Sequence, residues 1–135
     1  MLRRSLLSLI IPLIVLACDD GTGPRNNIPG TWRLETVSGQ PLPFILEQDG
    51  ATRVELTGET ITLLESGSMN MVTSFRVTEG ATVTTESYTG PGTYSIAGST
   101  VSITFAEDGS TLVATVNGDL MTLDDIGLTF VYRRN

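Results

Sequence analysis

From Gly30 onward, apolar and polar residues alternate in short runs, and no stretch keeps a helical apolar period for three turns. The clearest run places Met69, Met71, Thr73, Phe75 and Val77 on one face. Asn70, Ser74, Arg76 and Thr78 fall on the other, with Val72 the exception. A period of two marks a half-buried strand, because successive side chains point to opposite faces of a sheet. Val101, Ile103 and Phe105 repeat the pattern, as do Leu128, Phe130 and Tyr132. Val54 with Leu56, Ile61 with Leu63, and Tyr94 with Ile96 repeat it in shorter form.

Between these runs lie Gly58-Glu59, Ser66-Gly67, Glu79-Gly80, Gly98-Ser99, Asp108-Gly109 and Asn117-Gly118. Each suits a tight reversal or a position of positive φ. Asn117-Gly118 is the strongest hairpin signal, flanked by Leu112–Val116 and Leu120–Leu123, and Thr89–Gly92 also reads as a turn. Closely spaced reversals join antiparallel neighbours, whereas parallel strands need long crossovers. The pattern predicts an all-β fold of eight or nine strands in up-and-down order. A sheet with one apolar face must close on itself or find a second layer. Closure into an antiparallel barrel of about eight strands is the economical solution, with a β-sandwich as the alternative. The inward set is then Trp32, Leu34, Val54, Leu56, Ile61, Leu63, Met69, Met71, Phe75, Tyr94, Ile96, Val101, Ile103 and Phe105.

The first residues follow a different grammar. Arg3-Arg4 precede an apolar run from Leu6 to Leu16, which ends at Ala17-Cys18-Asp19-Asp20. A positive start, a short apolar run and a small residue form an export signal. Crossing a bilayer takes about 20 apolar residues, more than this run supplies, and Pro12 would remove a helical hydrogen bond within it. Asp19 to Asn27 are small, polar or chain-breaking and read as a flexible leash.

Composition narrows the chemistry. The whole chain has a formal charge of −7, with no histidine and a single cysteine. Loss of residues 1–17 removes two arginines and no acid, which deepens the negative balance. Such a surface repels phosphates and excludes nucleic acid as an expected partner. Ser-His and Cys-His catalytic arrangements have no histidine to draw on. Zinc and copper lack their usual ligands, no cofactor motif is visible, and the protein is expected not to be an enzyme. Asp124-Asp125 and Glu107-Asp108 are paired carboxylates that acid-base chemistry or calcium would use. Both lie beside predicted turns, where acids are ordinarily solvated.

Two resemblances add to this reading. Val15-Leu16-Ala17-Cys18 resembles the lipobox of bacterial lipoproteins. In that family the chain is cut before the cysteine, which is then acylated. The resemblance implies a signal peptide at 1–17, lipid attachment at Cys18, a tether at 18–28 and a domain at 29–135. It also implies a place in the bacterial cell envelope, anchored to a membrane by palmitate-like acyl chains and facing the periplasm or the outside. The domain itself resembles the lipocalins and their short bacterial relatives, through Gly30-Thr31-Trp32 at its start and Phe130-Val131-Tyr132-Arg133-Arg134 at its end. Ser38–Pro43 looks like the loop after strand one in that group. The likeness implies a tryptophan plug at Trp32 with an arginine of the last strand stacked across it. Parity favours Arg134, with Arg133 the fallback. A looser likeness joins the chain to the META-type envelope lipoproteins.

These readings give two expected functions. One is binding of a small hydrophobic ligand inside the barrel, by Leu34, Leu56, Leu63, Met69, Met71, Phe75, Tyr94 and Phe105. Methionines suit such a site because they are pliable. The other is a non-catalytic envelope module with a filled core and no ligand, either an interaction module that meets another envelope protein or a stress-related module of the META kind. An eight-stranded barrel is just wide enough for side chains to fill it, so both stay open at this point.

Overall fold

The computed structural model describes residues 28–135, and the export segment, Cys18 and nearly all of the tether lie outside them. The described chain forms ten strands. They are β1 (Gly30–Val37), β2 (Gln40–Pro41), β3 (Phe44–Asp49), β4 (Thr52–Leu63), β5 (Ser68–Glu79), β6 (Thr82–Ala97), β7 (Thr100–Phe105), β8 (Thr111–Asn117), β9 (Leu120–Asp125) and β10 (Leu128–Arg134). Consecutive strands from β3 to β10 pair antiparallel, β10 returns to β1, and β1 pairs with β4. The β1–β4 ladder runs from Gly30 opposite Leu63 to Arg33 opposite Thr60, and it closes an eight-stranded antiparallel barrel of β1 and β4–β10. A closed ring leaves no polar sheet edge along that ladder, which is why one apolar face suffices.

Two short strands sit outside the ring. Past Arg33, β1 leaves β4 and pairs with β2 at Thr36 and Val37, while β3 pairs with the first half of β4. The segment Phe44–Asp49 shows no alternation, so the sequence pattern does not announce it as a strand. β4, β5 and β6 are 12, 12 and 16 residues long, against six or seven for β7 to β10. Their surplus forms, with β3, a flap that extends beyond the ring. On its surface Glu55, only 4% exposed, accepts a 2.7 Å hydrogen bond from Arg76 Nε. Arg53 stands 3.6 Å away. The hydrogen bond from Arg76 is the main reason the Glu55 carboxyl lies below its ordinary value.

Two expected turns are strand interior instead. Gly58-Glu59 lies within β4, where the register against β5 shifts between Leu56 and Gly58. The extra residue, Thr57, is a β-bulge, which inserts one position and changes which parity faces inward. Leu56 above it and Ile61 and Leu63 below it therefore all reach the core, although their numbers differ in parity. Thr89–Gly92 is likewise part of β6. There the strand passes from pairing with β5 alone to pairing with β7 as well, starting at Gly92 opposite Phe105. A Cβ on Gly92 would stand 2.1 Å from the Thr104 carbonyl oxygen, so the glycine serves close strand approach and not reversal. Five other glycines of the expected turns, Gly67, Gly80, Gly98, Gly109 and Gly118, do have positive φ.

The core fills the half of the barrel around Trp32. Leu34, Val37, Ile61, Leu63, Met69, Val101, Ile103, Val116 and Met121 are all at most 3% exposed. Of the expected inward set, Val54 is only half-buried and Ile96 is 45% exposed. Ile96 sits one residue from the end of β6, where the barrel wall stops and inward parity no longer means burial.

Candidate functional site

The two ends of the barrel differ. At one end the Trp32 indole is fully buried and its Nε1 donates to the Ile28 carbonyl at 2.9 Å. The Arg134 guanidinium lies 4.5 Å from the centre of the Trp32 ring, and its Nη1 donates to the Pro29 carbonyl at 3.0 Å. A cation over an indole face contributes about 0.5–2 kcal/mol. Gly30, at φ 143°, explains its own place in the Gly-x-Trp motif, since a Cβ there would stand 2.9 Å from Arg134 Nη1. This end is stoppered by side chains.

The opposite end is hollow. A cavity of about 260 Å³ opens there, bordered by Leu46, Leu56, Glu59, Thr73, Phe75, Asp125, Ile126 and Phe130. A smaller hollow of about 80 Å³ shares Glu59, Asp125 and Phe130 with it and adds Met71, Leu112, Leu123 and Tyr132. The flap supplies Leu46, Leu56 and Phe75, and the turn between β9 and β10 supplies Ile126. Phe75 is held by an edge-to-face contact with Tyr88, centroids 5.7 Å apart. That contact places Tyr88 on β6 behind the cavity wall.

Of the eight residues expected to bind a ligand, Leu56 and Phe75 border the larger cavity and Met71 borders the smaller hollow beside it. Leu34, Leu63 and Met69 lie deep in the packed half, each at most 3% exposed. Tyr94 and Phe105 are partly buried against the core, and the Tyr94 hydroxyl donates to the Leu64 carbonyl. The period-two pattern identifies the inner face but carries no information on how far along the barrel each residue sits.

Two carboxylates border the cavity. The bulge at Thr57 turns Glu59 inward, where it accepts a 2.7 Å hydrogen bond from Thr73 Oγ1 and another from the Tyr132 hydroxyl. Asp125 follows Met121 and Leu123 on the inner face of β9. Its neighbour Asp124 points outward, is exposed and accepts from Thr129 Oγ1 at 2.6 Å. The pair Asp124-Asp125 is thus split across the sheet. Glu107 and Asp108 are exposed, and Asp108 accepts from the Ser110 amide at 2.9 Å. Burial pushes the Tyr132 phenol well above its ordinary range, and the negative charges of Glu59 and Asp125 push the same way. Tyr132 therefore stays a proton donor to Glu59 at neutral pH.

Shared parity was the available signal for both acids: Glu59 with Ile61 and Leu63, Asp125 with Met121 and Leu123. Among the described residues no group of three or more acids, histidines or cysteines is arranged to hold a metal ion. Comparison with protein-family models matches none of them, and comparison with curated proteins finds no similar sequence.

Proposed function

We propose that this protein is a lipid-anchored lipoprotein of the bacterial cell envelope whose lipocalin-like barrel takes up a small apolar ligand at its open end. The observation that carries the reading is the division of the barrel into a packed half around Trp32 and a hollow half bordered by Leu56, Met71, Phe75 and Phe130. Eight-stranded barrels either fill with side chains or hold one small ligand, and here the two solutions share one interior. At about 260 Å³ the cavity lies just below the usual range for ligand pockets, about 300–1,000 Å³. That size suits a molecule of one ring or a short chain.

Met71→Trp is expected to fill the smaller hollow, crowd the cavity that adjoins it through Glu59, Asp125 and Phe130, and sharply lower the fluorescence gain of an apolar naphthyl dye while leaving the strand signal in circular dichroism intact. Unchanged dye binding in the folded variant would remove the cavity from the account. The anchor has a separate test. Labelled palmitate should enter the wild-type chain in cells and be absent from Cys18→Ser, and equal labelling of both would exclude Cys18 as the attachment point.

One observation favours a second reading, an envelope interaction module. From Thr82 to Gly90, β6 pairs only with β5, and its other edge has no strand partner among the described residues. An open edge of this kind accepts an added strand. Cross-links in envelopes from the Thr82–Thr89 segment to another protein would support that reading, and it predicts no effect of Met71→Trp.

A further inference from the structure

We propose that the ligand of the open-end cavity is a small organic cation, an apolar body carrying an amine or other positively charged group, recognised by Glu59 and Asp125. The inference rests on the reading of the cavity as a ligand site and adds the chemistry of what enters it. The hollow is defined by its apolar wall, independently of the acids: Leu56, Met71, Phe75 and Phe130 would enclose a ring or short alkyl chain. Among the described residues the only ionisable groups on that wall besides the Tyr132 phenol are two carboxylates, and they border both of its compartments.

No positive side chain among the described residues answers them there. The described residues contain no lysine or histidine. Among the arginines, Arg53 and Arg76 serve Glu55 on the flap, Arg133 serves Glu35 on the outer wall, and Arg134 covers Trp32 at the far end. Arg33 is exposed on β1 and borders neither compartment. Glu59 is oriented by donors from Thr73 and Tyr132, which fix the carboxylate without neutralising it. Asp125 is half-buried at the mouth, beside Ile126.

A neutral apolar guest would leave two charges facing hydrocarbon as it displaced water, and an anion would be repelled by both. A cation restores the balance, and its apolar part gains the wall. Metal ions are a poorer fit, because no group of three or more metal-binding side chains gathers among the described residues and the wall around the two carboxylates is mostly hydrocarbon. Phe75 and Phe130 add faces that attract a cation.

Three probes of one size separate the charge term from the cavity term: 2-phenylethylammonium, 2-phenylethanol and phenylacetate, titrated calorimetrically into the full-length protein at neutral pH. The cation should bind about tenfold more tightly than the alcohol, the factor that one partly desolvated charge pair supplies. Phenylacetate should give no binding heat. Asp125→Asn should erase most of that preference, and its position at the mouth makes it the safer variant for folding. Glu59→Gln should do the same, with thermal melting to verify the fold. If the alcohol binds as well as the cation, or the preference survives both substitutions, the charge assignment is overturned while the apolar cavity stands. If none of the three binds the wild type, both the assignment and the ligand-site reading fall.

Discussion

Trp32→Ala is expected to lower the unfolding free energy by about 3–5 kcal/mol, the usual cost of removing a large buried aromatic. The indole is fully buried, and it is joined to three further groups. It donates to the Ile28 carbonyl, lies under the Arg134 guanidinium, and shares the stoppered end with Gly30. Its loss leaves an apolar void and removes the surface on which Arg134 rests. Arg134→Ala, which removes the cation and spares the core, should cost about 0.5–2 kcal/mol. Urea unfolding of the two variants measures both. Equal losses would mean that the stopper works through the arginine and not through the buried ring.

Gly92→Ala is the second substitution with a large expected effect. The added methyl would meet the Thr104 carbonyl oxygen at 2.1 Å and the Met69 side chain at 3.0 Å. The oxygen belongs to the backbone of β7, so relief requires the two strands to part just where β6 begins to pair with β7. Overpacking a core ordinarily costs about 1–3 kcal/mol, and the contact with Thr104 puts this one at or beyond the upper end because that oxygen belongs to the backbone and not to a flexible side chain. Gly58→Ala provides the contrast. That glycine has nothing within 4 Å of its added methyl and no positive φ. It should be neutral or stabilising by about 0.4–1 kcal/mol through the unfolded chain. Thermal melting of both variants checks the pair, and similar losses in the two would remove close strand approach as the reason for Gly92.

The same two glycines show what the amino-acid order could and could not reveal. Alternation in Met69–Val77 and Val101–Phe105 was enough to place strands, and five glycine turns were enough to make them antiparallel neighbours. The Trp32 plug and its arginine were legible through the resemblance to the lipocalin group, and parity with Leu128, Phe130 and Tyr132 picked Arg134, which does lie over the indole. Gly58-Glu59 and Thr89–Gly92 misled because glycine and proline are ambiguous letters. They mark reversals, but they also mark bulges and places where backbones meet. The bulge at Thr57 mattered most. By shifting parity within β4 it carried Glu59 from an expected turn onto the cavity wall. Asp125 was hidden by its neighbour, since a pair of aspartates beside a turn looks solvated until the sheet separates them.

The described chain enters the barrel at the end where Ile28 meets the Trp32 indole, and the mouth beside Ile126 is at the other end. If acyl chains hold Cys18 in a membrane, the ten residue steps from Cys18 to Ile28 would let the domain stand at most about 36 Å from its anchor. A mooring at the stoppered end would leave the mouth at the far end clear of it, so the opening would stay in reach of solutes in the surrounding aqueous space.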